Sequence, residues 1–470
     1  MSHSGAAAGG QLEEKVDLTS EVSSKLEQAE MLIAGGGGLS EALALLTALE
    51  KRCRVGNDTP SLIKVCNASL QHCKDAENEA MQIHTLDTLS TRRSQKSAAI
   101  QAMIQLALPW VLVDKDSNIP LPSLKSDKLM VAMRDITDGK IFLEAERAQL
   151  TRALATMKEN AGDISGAADV LQEVHVETYG SLSKKDKVEF ILEQMRLTLA
   201  KKDYIRAAIV SNKILPKQFQ DEGLEMQQHK VKFYSLMAQY HAHDKDALHL
   251  AKDYHAIYST PHIQEDELKW KTALKACVLF LALAEHSNEQ QDLMHKVFES
   301  DTEHLEALPA SKATLELLLQ PEIIAYPLSH QTEIEQGLME SLQQLHDESR
   351  TKENESRGLP EEDVAYWKDL LHRRIIQHNV RVVSKYYKRI HGQRLAQMLG
   401  LDRTALEAEI STMVSSGSLY CKIDRPADII RFTTSKTPES VLSSWASDID
   451  KLLGLVERTT HLIQKENMTK

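Results

Sequence analysis

Aromatic residues are scarce in this chain, at 5% of 470 residues, and few β-branched or aromatic runs occur. Strands favour those residue types, so little sheet is expected. Strong helix formers such as Leu, Ala, Glu, Lys and Gln dominate instead. Because the length exceeds one ordinary hydrophobic core, we expect several domains or a repeat array that is mostly α-helical.

Long apolar runs are missing as well. The longest one, Ala276–Ala284, reaches only about half of what a membrane-spanning helix requires. The N-terminal residues also lack the charged, apolar and small-residue order of a secretory signal. We therefore expect no membrane span and interpret this run as part of a buried helix.

The cysteines do not form the even, clustered set of a disulfide framework. They are Cys53, Cys66, Cys73, Cys277 and Cys421. An odd and dispersed set suits a reducing compartment, which predicts a cytoplasmic and nuclear location.

The first three quarters of the chain carry helical patterns. Residues 1–15 are small and polar and are predicted to be disordered. The range 16–345 is predicted to be an α-solenoid of helical hairpins, because the turn Ala161-Gly162-Asp163 recurs forty residues later as Lys202-Asp203, and a pair of alanines follows each. A third unit near Tyr234 to Tyr254 matches poorly, so generic hairpins without a true repeat remain an alternative.

A different organisation begins after residue 345. The range 346–362 is charged and nearly free of apolar residues, which predicts a mobile loop. A leading helix and a compact module are expected over 363–435, and a long helix over 437–466.

The compact module has the pattern of a winged helix. One short helix stops at Gly400, and a second, capped by Asp402, carries Leu406, Ile410, Met413 and Val414 on one face and ends at Gly417. The alternation of Leu419, Cys421 and Ile423 predicts a strand, and Ile430 and Phe432 predict a second one.

Winged helices often bind DNA, so the net charge of the second helix indicates whether this module could do so. The second helix has a net charge of −2 from Asp402, Glu407 and Glu409 against Arg403, and the whole chain carries −12. Phosphates would repel both. The leading helix is basic over 373–389, which leaves a nucleic-acid-binding regulator as an alternative from another functional class.

The clearest periodicity follows Pro438. Apolar residues repeat at heptad spacing and form one narrow stripe along the helix. The winged helix is too small to cover this stripe, so helices of partner chains are its expected cover, with folding back onto the solenoid as the alternative. The predicted partner-contacting residues are Leu442, Trp445, Ile449, Leu452, Val456 and Ile463.

The winged-helix pattern described above resembles the PCI-domain family, which occurs in the proteasome lid, the signalosome and translation-initiation factor three. The similarity is carried by Leu395-Ala396, Leu399, Leu401, Glu407, Ile410, Met413-Val414, Leu419, Lys422-Ile423-Asp424, Ile429-Ile430 and Phe432. Upstream segments, such as Gln172 to Gly180 and Val188 to Arg196, narrow the similarity to a subunit of the proteasome lid. The paralogous signalosome subunit is the nearest rival. The fold class implied is mostly α, with a right-handed α-solenoid of tetratricopeptide-like hairpins, a winged-helix (PCI) module and a long C-terminal helix.

The resemblance implies a non-catalytic scaffold. Its winged-helix edge would join other lid PCI subunits, its C-terminal helix would enter a shared helical bundle, and its further partners would be the lid deubiquitinase heterodimer, the ATPase base and the core particle. The edge residues predicted to contact partners are Leu419, Tyr420, Cys421, Lys422, Ile423, Ile430 and Phe432.

No catalytic, cofactor or metal site is predicted. The zinc motif of the lid deubiquitinase needs His-x-His followed by an Asp ligand, and His241 and His243 supply only its first half, since Tyr254 occupies the Asp position. Gly35–Gly38 lacks the Lys-Ser or Lys-Thr of a P-loop. We therefore expect that the chain is not an enzyme and holds no cofactor.

Overall fold

The computed structural model describes residues 18–34, 38–113, 119–120, 128–220, 223–348, 361–432 and 438–468. The predicted disordered segment 1–15, and 349–360 of the predicted loop 346–362, lie outside these ranges. The residues at both ends of that loop are helical, because one helix runs to Glu348 and the next begins at Glu361.

The described residues are predominantly helical, as the composition predicts. Short 3-10 turns cover Ile141–Leu143, Val176–Thr178 and Pro216–Gln220. The α-helices are α1 Thr19–Ala34, α2 Leu39–Val55, α3 Thr59–Asp75, α4 Glu79–Thr91, α5 Ser97–Val111, α6 Lys128–Thr137, α7 Glu144–Asn160, α8 Ile164–Gln172, α9 Lys184–Ala200, α10 Tyr204–Ser211, α11 Leu224–Asp244, α12 Ala247–Tyr258, α13 Pro261–Gln264, α14 Glu267–Leu283, α15 Asn288–Ser300, α16 Thr302–Glu306, α17 Pro309–Leu319, α18 Gln331–Glu348, α19 Glu361–Tyr386, α20 Gly392–Leu399, α21 Arg403–Ser415 and α22 Pro438–Met468. The strands are β1 Arg389–His391, β2 Lys422–Asp424 and β3 Ile429–Arg431.

The chain divides into two compact units. The described residues of the first lie in 18–245, 256–270 and 344–348, and those of the second in 246–255, 271–343 and 361–468. No helix among the described residues has the length and apolarity that a membrane crossing requires.

Four helix connections of the first unit share one kind of turn. A residue in the left-handed region (Asn57, Glu77, Gly162 or Lys202) is followed by an Asp or Asn that caps the next helix. At the best-formed turn, the Asp163 N–H donates to the Lys158 carbonyl (2.9 Å), and the Asp163 carboxylate accepts the Gly166 N–H (2.8 Å). One residue thus closes a helix and opens the next, satisfying backbone groups at both ends.

The two turns predicted from the repeat, at 161–163 and 202–203, therefore join helix to helix as expected. Lys245, with φ of 59°, and Asp246, which accepts the N–H groups of Leu248 and His249, have the same order in the unit that matched poorly by sequence. The residue types conceal the similarity of these three turns, because the left-handed position is Gly162 in the first turn and a lysine, Lys202 or Lys245, in the other two.

Neighbouring hairpins of the first unit are joined by both packing and charge. The alanines after the two predicted turns include buried Ala167, Ala168 and Ala207, whose small side chains admit close helix approach. The Arg196 guanidinium on α9 donates two bonds to Glu159 on α7 (2.8 and 2.7 Å), a bidentate pair that also contacts Glu193.

The second unit is built around the apolar run of α14. Every residue of Ala276–Ala284 is buried, as predicted. Phe280 stacks on Tyr254 and meets Trp367 of α19 edge-on, each with ring centroids 5.6 Å apart. Asn379 holds the segment before α18 by bonding both the N–H and the carbonyl of Ile324 (2.8 Å each). The leading helix α19 is thereby fixed to its unit by packing and by buried hydrogen bonds.

We predict that Asp163→Ala will lower the stability of the α7–α8 hairpin by about 1 kcal/mol, because the Gly166 N–H loses its acceptor. Local opening is best measured by hydrogen exchange of the α8 amides, since a chain of this size need not unfold in one step. Asp163→Asn is the control, because Asn78 caps α4 in the same way. Equal acceleration of exchange in both variants would contradict this role.

Candidate functional site

The winged-helix module contains a three-stranded sheet with the order β1-β3-β2. Both pairings are antiparallel, and Ile430 of the central strand lies opposite Ile390 on one side and Ile423 on the other. The sequence predicted two strands, and β1 was missed. Its three residues follow the helical pattern of α19 and become a strand only through pairing with β3.

The core of this module agrees with the apolar pattern. Leu395, Leu406, Ile410 and Met413 are buried together, while Val414 of the same predicted face is partly exposed. Gly400 and Gly417 have φ values of 66° and 73°, the left-handed conformation expected where helices end. Asp402 directly precedes α21, as predicted for its cap residue. Its carboxylate accepts the Thr404 hydroxyl, and this bond together with the backbone N–H groups of Arg403 and Thr404 lowers the pKa of the carboxyl.

Asp428, which sequence reasoning missed, joins three parts of the module. Its carbonyl accepts the Gly392 N–H (2.9 Å), and its carboxylate accepts the Gln393 N–H (2.9 Å) and the Arg403 Nε–H (2.9 Å). The backbone bond from Gln393 and the charge of Arg403 lower the pKa of this carboxyl below its usual range, although desolvation opposes them. The turn between β2 and β3 is thus tied to the first residues of α20 and α21.

The predicted edge residues divide into three groups. Ile430 is fully buried in the central strand, so its inclusion in an exposed edge is wrong. Leu419, Cys421, Ile423 and Phe432 are partly buried against the module core. Tyr420 and Lys422 are exposed, and β2 lies at one edge of the sheet. Of the predicted edge residues, Tyr420 and Lys422 are therefore the ones whose side chains are exposed.

The acidic residues of α21 have partners within the second unit. Glu407 pairs with Arg425, and Glu409 pairs with Arg373 of α19 at 3.0 Å. Much of the charge counted from the sequence is therefore neutralised, and Arg373 is not a free cation of the basic helix 373–389. This geometry gives the nucleic-acid alternative no support.

Helix α22 has no buried residue between Pro438 and Met468. Its 31 residues span about 46 Å. The six predicted stripe residues, Leu442, Trp445, Ile449, Leu452, Val456 and Ile463, have exposed fractions from 44% to 64%. The described residues of the chain therefore leave the stripe uncovered, and its cover by partner helices stays a prediction.

The exposed apolar surface of α22 is wider than the predicted stripe. Val441, Leu453, Leu455 and Leu462 are exposed as well, with three of them in the second half of the helix. In heptad terms, these residues flank the predicted seam on both sides. The sequence contained this signal, because leucines adjoin seam positions only after residue 451.

The described residues outside these surfaces contain no group of three metal-ligating side chains suited to an ion. His243 stacks on the Tyr204 ring with centroids 3.5 Å apart. Burial raises the pKa of Cys53 to about 11 and that of Cys66 to about 12, so these thiols stay protonated and are poor nucleophiles.

Helical hairpins, a winged-helix module and a long unburied helix together define a protein of the PCI class. Family models agree with this division. "PSMD12/CSN4, N-terminal" matches residues 41–266, "PCI domain" matches 338–434, and "26S proteasome regulatory subunit RPN5 C-terminal domain" matches 439–470. The first model covers two proteins, PSMD12 and CSN4, whereas the third model describes a proteasome subunit alone.

Curated relatives narrow the assignment. The chain is 35% identical over 440 residues to "26S proteasome non-ATPase regulatory subunit 12" of Dictyostelium discoideum, covering 93% of this chain and 91% of the relative. It is 34% identical to homolog A of that subunit in Arabidopsis thaliana (92% and 97% covered) and 34% identical to "26S proteasome regulatory subunit RPN5" of Saccharomyces cerevisiae (91% and 91%). The chain belongs to the family of 26S proteasome non-ATPase regulatory subunit 12, or RPN5.

We predict that Gly392→Ala will destabilise the winged-helix module by about 1–3 kcal/mol through overpacking. An added Cβ would lie 2.4 Å from Asp428 Oδ1 and 2.6 Å from Arg403 Cζ. Faster hydrogen exchange in α20 and β3 is the expected readout. Gly337→Ala in α18 is the matched control, because nothing lies within 4 Å of its Cβ, and it should stabilise its helix. Unchanged exchange in Gly392→Ala would refute the close-approach argument.

Proposed function

We propose that this chain is a non-catalytic scaffold subunit of the 26S proteasome regulatory-particle lid. It supports lid assembly, and through it ubiquitin-dependent protein degradation, by holding other subunits together. The observation that carries the proposal is that α22 has no buried residue and that its apolar stripe is exposed. Burying each large apolar side chain stabilises by about 1.5–3 kcal/mol, so association that covers six of them is strongly favoured.

The distribution of apolar residues on α22 suggests how many neighbours it has. In the first half the stripe is narrow, which suits contact with one helix. In the second half Leu453, Leu455 and Leu462 extend it to both flanks. A helix with apolar residues on a broad arc needs cover from at least two sides. A bundle of several subunit helices therefore fits better than a two-stranded coiled coil.

The winged-helix edge is the second proposed contact. Tyr420 and Lys422 are exposed beside or within β2, an edge strand that could pair with or pack against the module of another PCI subunit. Lys422 discourages indiscriminate edge pairing, because a lysine on an edge strand must be accommodated by the partner. Leu419, Cys421, Ile423 and Phe432 would support this surface from beneath.

Further partners follow from family membership and from the resemblance. They are other lid PCI subunits, the lid deubiquitinase heterodimer, the ATPase base and the core particle. The proposed domains of the subunit are the solenoid over 16–345, the PCI module with its leading helix over 363–435 and the bundle helix over 437–466. All five cysteines are free, in keeping with the proposed cytoplasmic and nuclear location.

We predict that Leu452→Asp will prevent stable incorporation into the lid, because a carboxylate would have to be buried within the helical bundle. The isolated chain should keep its fold, since Leu452 is exposed in it. Incorporation is measured by co-purification with lid subunits, and folding by circular dichroism.

Ser447→Asp is the matched control, because it adds the same charge to α22 at a position outside the apolar stripe. It should incorporate like the unmodified chain. Normal co-purification of Leu452→Asp would overturn the proposal that this stripe holds the subunit in the lid.

A further inference from the structure

One face of α19 carries a row of basic side chains, and two of its cations have no partner of opposite charge among the described residues. Arg374, His378, Arg381 and Lys385 follow one another at intervals of four, three and four residues, which aligns them along about 16 Å of helix. These four residues are called the basic face below. They lie on the side of α19 that meets the end of α14 and the residues after it.

Only the first member of the basic face is fully engaged. Arg374 donates to the Leu283 carbonyl (2.9 Å) and to Gln377 (2.8 Å), and it lies 3.5 Å from the exposed carboxylate of Glu285. Among the described residues, the side chains of Arg381 and Lys385 have neither an ion pair nor a hydrogen bond. Arg381 is half-buried, so an anion that reached its guanidinium would be screened less by solvent and salt than one beside a fully exposed cation.

The titration of neighbouring groups reflects the same positive field. Burial, followed by the charge of Arg374, lowers the pKa of Arg381 to about 10. Burial also lowers the pKa of His286 to about 4, and the charges of Arg381, His378 and Lys385 add to this effect. Burial is also the main reason that the pKa of His378 is lowered, although the hydrogen bond between its Nε2 and the Glu322 carbonyl (3.2 Å) opposes this shift. Both imidazoles are therefore kept neutral, and Arg381 and Lys385 remain without a counter-charge.

We propose that the basic face binds a carboxylate-rich segment of another protein chain, with Arg381 as its anchor and Lys385 at its outer end. A guanidinium matches a carboxylate in bidentate geometry. Binding would supply the missing negative charge. This surface is additional to the β2 edge and to α22, so the inference goes beyond the proposed function and does not depend on it.

A protein segment suits this face better than a nucleic acid does. The charged row is short, Glu285 lies beside it, and the whole chain carries −12. A phosphate backbone favours a longer row of cations without an acidic neighbour. A short acidic stretch of a folded partner needs only two or three cations.

The first test titrates a fluorescent polyglutamate peptide against the full-length chain at low salt. Arg381→Gln should weaken binding about tenfold or more, and Lys385→Gln should weaken it less because Lys385 is exposed. Lys64→Gln on α3 removes the same charge elsewhere and should bind like the unmodified chain. Since Lys385 is on the surface, its variant remains informative if Arg381→Gln unfolds. Unchanged binding in both variants would overturn the proposal, as would tighter binding of an oligonucleotide of equal formal charge.

The second test uses the assembled complex. Carbodiimide joins a lysine amine directly to a carboxylate that touches it, so Lys385 should become linked to an Asp or Glu of another chain. Mass spectrometry of the linked peptides identifies the site. In complexes carrying Arg381→Gln the link should fall while the subunit itself stays incorporated, which separates this inference from the role of α22. Links of Lys385 confined to its own chain would refute it.

Discussion

An amphipathic helix must bury its apolar stripe, and within the described parts of this chain nothing covers the stripe of α22. Hairpin helices such as α7 and α8 cover their apolar faces with neighbours along the chain, and α14 is enclosed within its unit. Helix α22 instead leaves Trp445, Leu452 and Ile463 in solvent. Because apolar exposure of this extent is unfavourable, the state of α22 is the main support for the proposal that other chains cover this helix.

The winged-helix module shows the opposite arrangement. Its core is closed by Ile430, Leu406 and Ile410, and Asp428 ties its turn to two helices. Such a module can present an edge to a partner without depending on that partner for stability. The two terminal elements thus differ physically, since the module has a hydrophobic core of its own and α22 has no buried residue.

The sequence was sufficient where one element determines its own pattern. Heptad spacing located α22, and Gly400 and Gly417 marked helix ends, because these signals lie within a few adjacent residues. The sequence was insufficient where the structure of a segment depends on residues that are distant in the chain. Strand β1 forms by pairing with β3, which is distant in the sequence. The Asp428 contacts likewise join residues far apart in the chain. Ile430 was predicted at the sheet edge, but it lies in the central strand. Lys202 and Lys245 adopt the left-handed conformation although their residue type does not indicate it.

The central claim is that the stripe of α22 is uncovered in the isolated chain and covered in the assembled lid. Ile449→Cys tests it directly, because four of the five natural cysteines are buried and the fifth, Cys421, is half-buried. The labelling rate of this thiol by a maleimide should be fast in the isolated chain and slowed by at least about a hundredfold in the complex. Protection already present in the isolated chain, or equal labelling in both states, would contradict the account.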